Sequence, residues 1–214
     1  MNMSGIFAAW REVPAIVLGL IFAVPLAFLT RWRWLALIPA VLLGWVFYFF
    51  RDPERVPASL ISEFIIAPAD GKVTDIELVD EPLYIQGQAR RISVFMTIFD
   101  VHVQHSPFDG KVQFLHYQPG SFAPAFLEDT NSNESNLIGM ETPRGRIAIK
   151  QIAGILARRI VCWVEPGDNV VKGQKLGLIR FGSRVDLFLP PEVEVLVTEG
   201  QQVAAGQTLM ARWQ

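Results

Sequence analysis

Apolar and polar positions divide this chain into two unlike parts. Residues 13–29 (VPAIVLGLIFAVPLAFL) and 34–50 (WLALIPAVLLGWVFYFF) are charge-free apolar runs of 17 residues each, separated by Thr30, Arg31, Trp32 and Arg33. As helices each run would be ~25 Å long against ~30 Å of hydrocarbon, the lower limit for crossing a bilayer. Pro25 and Pro39 fall inside the runs, where a missing N–H kinks or ends a helix. A removed signal peptide is disfavoured, because no A-x-A-like site follows the first run and a second apolar run comes almost at once. Trp10, Trp32, Trp34 and Trp45 suit a membrane interface. The expectation for residues 1–50 is a membrane-associating hydrophobic helical hairpin, either crossing the bilayer or lying in its surface.

Beyond residue 50 the pattern changes to short β-branched stretches punctuated by glycine, proline and aspartate. IIAPADGKVTDIEL, RRISVFMTIFDVHVQ, GKVQFLHY, RIAIKQIAG, RRIVCWVE, KLGLIRFG, RVDLFLP and VEVLVTEG follow one another from Ile65 onward. Strand-length runs with frequent turn signals predict a mostly β domain over residues 51–214. Residues 119–143, rich in Pro, Ser and Asn, read as a long functional loop. Its Phe122, Phe126 and Leu127 are candidates for contact with lipid.

Two internal echoes refine that fold. GDNVVKGQKLG at 167–177 recurs as GQQVAAGQTLM at 200–210, and PADGKV at 68–73 recurs as PFDGKV at 107–112. The first pair resembles the hammerhead halves of biotinyl and lipoyl carrier domains, which predicts a sandwich or barrel-sandwich with quasi-symmetric halves. A carrier would need an exposed lysine between the half-motifs, and residues 178–199 contain none. The architecture is expected without the carrier activity.

Composition narrows the functional classes. Only 19% of the 214 residues are charged, and the net charge is −2. A nucleic-acid binder would ordinarily be basic. A single cysteine, Cys162, excludes an internal disulfide framework. His102 and His105 are spaced as two metal ligands on a helix would be, but no third ligand cluster accompanies them and Pro107 would soon end the helix, so no metal is expected. In an extended strand the two imidazoles would face opposite ways and serve different tasks. His116, alone in FLHYQ, reads as a structural histidine.

Where a carrier would carry its lysine stands Phe181-Gly182-Ser183-Arg184. Glycine before serine lets the hydroxyl approach the preceding carbonyl with little steric resistance. Attack by that hydroxyl gives an N→O acyl shift to an ester. β-Elimination then leaves a dehydroalanine, which hydrolyses to an N-terminal pyruvoyl group and ammonia. The serine needs a base, because a free hydroxyl is a weak nucleophile. Spacing alone leaves the base open between the histidines, and its orienting carboxylate open among Asp70, Asp109, Asp100 and Asp186.

Taken in order, RDPER after an apolar N-terminus, APADGKV, DVHVQHSP and a C-terminal FGSRVD resemble the short prokaryotic form of the phosphatidylserine decarboxylase family, over roughly residues 45–214. The resemblance implies a proenzyme that cuts itself between Gly182 and Ser183 into a β chain, 1–182, and an α chain, 183–214. Ser183 would become the covalent pyruvoyl cofactor. It assigns self-cleavage to Asp70, His105 and Ser183, and the decarboxylation step to His102. The pyruvoyl ketone would form a Schiff base with phosphatidylserine in the bilayer, release CO2 and yield phosphatidylethanolamine, with His102 protonating the α-carbon. It further implies a cell-membrane enzyme with its catalytic domain on the cytoplasmic side, with assembly open, a homodimer included. Many relatives carry Leu-Gly-Ser-Thr where this chain has Phe-Gly-Ser-Arg, and a family-like Asn-Glu-Arg element here reads Asn133-Glu134-Ser135. The alternatives are a membrane-anchored β-sandwich adaptor and a pyruvoyl-dependent decarboxylase of another serine-headgroup lipid or an amino acid.

Overall fold

A computed structural model of the chain describes residues 14–30, 33–120, 133–154, 160–180 and 183–214. These fall into two compact units, Met1–Glu54 and Arg55–Gln214. Trp10, Arg31, Trp32, Phe122, Phe126 and Leu127 lie outside the described residues.

In the first unit, α1 (Pro14–Phe28) and α2 (Leu37–Phe49) pack together, and a 3₁₀ turn at Arg33–Ala36 leads into α2. α1 opens on Pro14, which suits a first helical position, and it continues through Pro25. Pro39 lies in the first turn of α2, where its absent N–H costs no helical bond. The helices are therefore shorter than the apolar runs, at ~22 and ~20 Å. No helix among the described residues is long and apolar enough to cross a membrane.

The second unit is built from strands. In chain order they are β1 (Phe64–Ile66), β2 (Gly71–Glu81), β3 (Gly87–Met96), β4 (Val103–His105), β5 (Gly110–Gln118), β6 (Ser135–Thr142) and β7 (Gly145–Ala153). There follow β8 (Ile160–Cys162), β9 (Asn169–Val170), β10 (Lys175–Ile179), β11 (Ser183–Leu189), β12 (Glu194–Val195), β13 (Gln202–Val203) and β14 (Leu209–Arg212). Eight of them form one sheet in the order β13-β2-β3-β11-β7-β6-β5-β9. The mostly β expectation holds. The long-loop expectation fails over its last third. SNLIGMET is the interior strand β6, whose Ile138 and Met140 alternate into the core despite the Asn- and Ser-rich sequence before them.

Two small sheets, β1-β14-β12 and β4-β10-β8, are the quasi-symmetric halves. Their equivalence is visible bond by bond. Gly173 N–H donates to the Ser106 carbonyl and Gly206 N–H to the Ala67 carbonyl, both at 2.8 Å. Each of these glycines has positive φ, 82° and 73°, in a turn that a side chain would strain. Asp109 accepts the Lys172 N–H (2.7 Å), and Asp70 accepts the Ala205 N–H (2.8 Å). The repeated DGKV turns thus anchor the repeated glycine turns.

One core joins these layers. Ile92, Val94, Ile138, Ile147, Ile149, Val185 and Leu187 of the large sheet meet Ile65, Leu176 and Met210 of the small ones. Burying a side chain of this size contributes ~1.5–3 kcal/mol. β11 is buried along its whole length, between β3 and β7, which sets its first residue at the middle of the sheet.

Candidate active site

Ser183 begins β11 and is wholly buried, opposite Met96 on one side and Ala153 on the other. Its hydroxyl has no hydrogen-bond partner among the described residues. A buried hydroxyl normally finds a partner, since burial without one costs ~1–3 kcal/mol. Gly182, the other half of the expected scissile pair, lies outside the described residues, as does Phe181.

The two histidines come from β4 and the turn before it. Their strand is laid down along β10, with His105 opposite Lys175 and Val103 opposite Leu178, and Ile179 N–H donates to the His102 carbonyl (3.3 Å). β10 ends at Ile179, four positions before Ser183 in the sequence. Along this ladder His102 is the histidine nearer the chain segment that ends at Ser183. Nδ1–H of His102 donates to the Asp100 carbonyl (2.9 Å), which fixes the tautomer and leaves Nε2 as the basic nitrogen.

His105 is almost wholly buried, and its Nδ1 has no hydrogen-bond partner among the described residues. Burial chiefly, then the Arg55 and Lys175 cations, hold its pKa down at about 4, against opposing effects of Asp70 and the Val103 backbone. The imidazole is therefore neutral at ordinary pH and able to accept a proton. Its main-chain N–H donates to the Pro68 carbonyl (2.9 Å), in the same PADGKV segment that carries Asp70.

Asp70 does not bond to His105. It is gripped by Arg55, whose Nη1 donates to Oδ1 and whose Nη2 donates to Oδ2 (2.7 Å), while Nη1 also reaches the Ala205 carbonyl (2.8 Å). Arg55, from the RDPER segment, was not among the residues the sequence singled out. Its signal was that segment's position just ahead of the β domain. No hydrogen bond links Ser183 to His105 or His105 to Asp70 among the described residues, so the expected three residues are not joined as a hydrogen-bonded relay.

A buried chain of amides runs from the histidine segment to β7 and β6. Gln104 Nε2 donates to the His102 carbonyl (2.7 Å) and lies 3.9 Å from the sulfur of Met96, the residue opposite Ser183. Gln151 Nε2 donates to Gln104 Oε1, and Asn136 Nδ2 donates to Gln151 Oε1, each at 2.9 Å.

The other candidates have structural partners. Asp100 accepts the Thr97 N–H and hydroxyl (both 2.7 Å), closing the turn before His102. Asp186 is paired with Arg184. Asn133 donates to the Ala153 carbonyl (2.9 Å) and Glu134 accepts the Ile160 N–H (3.5 Å), so this triplet ties strand ends together. His116 is exposed and stacked on Phe114, not in the core.

Residues 42–211 match the family model described as phosphatidylserine decarboxylase. A phosphatidylserine decarboxylase proenzyme of Carboxydothermus hydrogenoformans is 46% identical over 182 residues, 84% of each chain. One of Desulfotalea psychrophila is 47% identical over 171 residues, 77% of this chain and 78% of the relative.

Proposed function

This chain belongs to the phosphatidylserine decarboxylase family and is a carboxy-lyase, and we propose that it matures by cutting itself between Gly182 and Ser183. The adaptor and other-substrate alternatives are not favoured. The observation that carries the reading is the buried, unbonded Ser183 hydroxyl at the head of a central strand. A hydroxyl with no structural task, opposite Met96, whose sulfur meets Gln104 of the histidine strand, fits a group that is consumed in forming a pyruvoyl ketone.

In this reading His105 takes the Ser183 hydroxyl proton as the oxygen attacks the Gly182 carbonyl; the C–N bond then breaks as that proton passes to the Ser183 nitrogen, leaving an ester and a free amine. The Cα proton of residue 183 then leaves with the Cβ–Oγ bond, releasing chain 1–182 as a carboxylate. Water converts the remaining dehydroalanine to the ketone and ammonia. Asp70 and Arg55 hold the turn on which the His105 backbone hangs, and Asp70 opposes the cations that would otherwise depress the imidazole further. Once formed from Ser183, a pyruvoyl group there would supply a carbonyl for the substrate amine and an acceptor for the electrons left by departing CO2. His102 carries the proton to the α-carbon through Nε2, held in orientation by its Nδ1–H bond to Asp100. Phosphatidylserine is the substrate and phosphatidylethanolamine the product. The short apolar helices α1 and α2 act as an interfacial anchor, which brings the enzyme to a lipid that stays in the bilayer.

Denaturing electrophoresis with intact-mass analysis tests the maturation step. The expected products are 1–182 and a 183–214 fragment with a blocked, carbonyl-bearing N-terminus, and Ser183→Ala should remain one chain. A single uncut chain in a preparation that decarboxylates phosphatidylserine would overturn the reading.

A further inference from the structure

Arg184 follows the reactive serine, and strand alternation turns its side chain to the opposite face of β11. There it is almost fully buried. Nε donates to Asp186 Oδ1 (2.6 Å), Nη2 to Asp186 Oδ2 (3.3 Å), and Nη2 also to Ser93 Oγ (2.9 Å). Ser93 belongs to β3 and stands directly opposite Asp186, so the three side chains stitch β11 to its neighbour. The side chains of Arg184 and Asp186 are only 5% and 4% exposed. A buried ion pair of this kind is seldom needed for stability, since apolar residues of similar volume serve equally well. Its position beside the bond to be cut calls for another explanation.

Cleavage between Gly182 and Ser183 turns the first residue of a central strand into a chain terminus. Strand ends fray unless tied down. Residue 183 must nevertheless stay in place, first while its hydroxyl attacks and later as the reactive ketone. We propose that Arg184 is a positioning residue which, with Asp186 and Ser93, clamps the head of β11 in register against β3 before and after the cut. The inference rests on cleavage at Gly182–Ser183.

The double variant Arg184→Met/Asp186→Leu tests the clamp, because it removes both charges together and strands neither. It should melt within a few degrees of the native protein yet cut itself ~10- to 100-fold more slowly, the scale of a small misplacement of reacting atoms. Hydroxylamine, which splits an accumulated ester, should not restore its rate, because the impaired step is the attack. Ser93→Ala, which loses only the tie to β3, should be slowed less. Native-rate cleavage by the double variant overturns the clamp, and so does full rescue by hydroxylamine. Should the double variant fail to fold, Arg184→Lys and Ser93→Ala decide, and native rates in both overturn the proposal. A native chain left uncut in the same assay overturns the parent reading and the clamp with it. A cut native chain beside an equally fast double variant overturns the clamp alone.

Discussion

His105 stands where Ile66 stands in the other half of the domain. Each donates its main-chain N–H to the proline carbonyl of the opposite turn, His105 to Pro68 (2.9 Å) and Ile66 to Pro107 (3.1 Å). Both residues are buried. Because one half folds with isoleucine at this position, the fold itself does not require a histidine in the other. His105→Ile should therefore fold, with stability changed by less than about 1.5 kcal/mol, as for other volume-conserving core exchanges. It should also fail to cut itself. Thermal melting and electrophoresis of the purified variant check the two halves of this statement, and native cleavage would remove His105 from the reaction.

The same burial sets a pH dependence. With its pKa held at about 4, His105 is neutral in the folded protein where an unfolded histidine would still bind a proton. Between the folded value and ~6.5 the unfolded state binds more protons, so stability rises with pH through that window and is lost as pH falls through it. Shifts of this size correspond to on the order of 3 kcal/mol. Denaturant titrations should show this slope in Ser183→Ala and not in Ser183→Ala/His105→Ile, a pair that compares two uncut chains. Self-cleavage should hold its rate until pH approaches about 4, since the base stays neutral until then. A decline centred near the ordinary histidine value would mean that another group is the base.

Asp70 and Asp109 share a structural task and differ in what surrounds them. Both cap a glycine turn, but only Asp70 is held by Arg55 and acts electrostatically on His105. Asp109→Asn keeps an acceptor for the Lys172 N–H and should cleave at the native rate. Asp70→Asn strands a mostly buried guanidinium, at a cost of about 3–5 kcal/mol, and should cleave far more slowly. Arg55→Met should raise the pKa of His105, because a cation that depresses it is gone. NMR titration of His105 in an uncut Ser183→Ala background measures that rise, and an unmoved or lowered value would contradict it.

The sequence carried some of this arrangement and concealed the rest for physical reasons. Short β-branched runs between turn residues marked the strands, and the glycine echoes marked the halves, because both are local. Aligning the PADGKV and PFDGKV segments already sets His105 against Ile66, a polar residue where the repeat has an apolar one. The sheet order could not be read, since β11 pairs with β3 and β7 across long stretches of chain. For the same reason the sequence does not show Arg55 as the partner of Asp70, or Ser93 opposite the Asp186 that Arg184 holds. The apolar runs overstated the helices, because α1 ends at Phe28 and a 3₁₀ turn occupies the start of the second run.

The amide chain behind His102 gives the last prediction. Gln104 is completely buried, and its bonds to the His102 carbonyl and to Gln151 leave it a single orientation. Three carboxamides in a β core would be costly unless each were satisfied, and here each bonds to the next. The chain ends on the backbone of the histidine assigned to proton transfer, so it fixes where that imidazole sits relative to residue 183. Gln104→Met preserves volume but breaks both bonds and leaves a Gln151 N–H unsatisfied, costing ~1–3 kcal/mol. Self-cleavage should still go to completion, because His105 and its Pro68 contact are untouched. Decarboxylation by the matured variant should fall about tenfold in kcat with little change in KM, since positioning and not lipid binding is lost. Phosphatidylserine turnover in mixed micelles, measured on fully cut enzyme, decides the matter. An unchanged kcat would mean that the amide chain supports the fold alone.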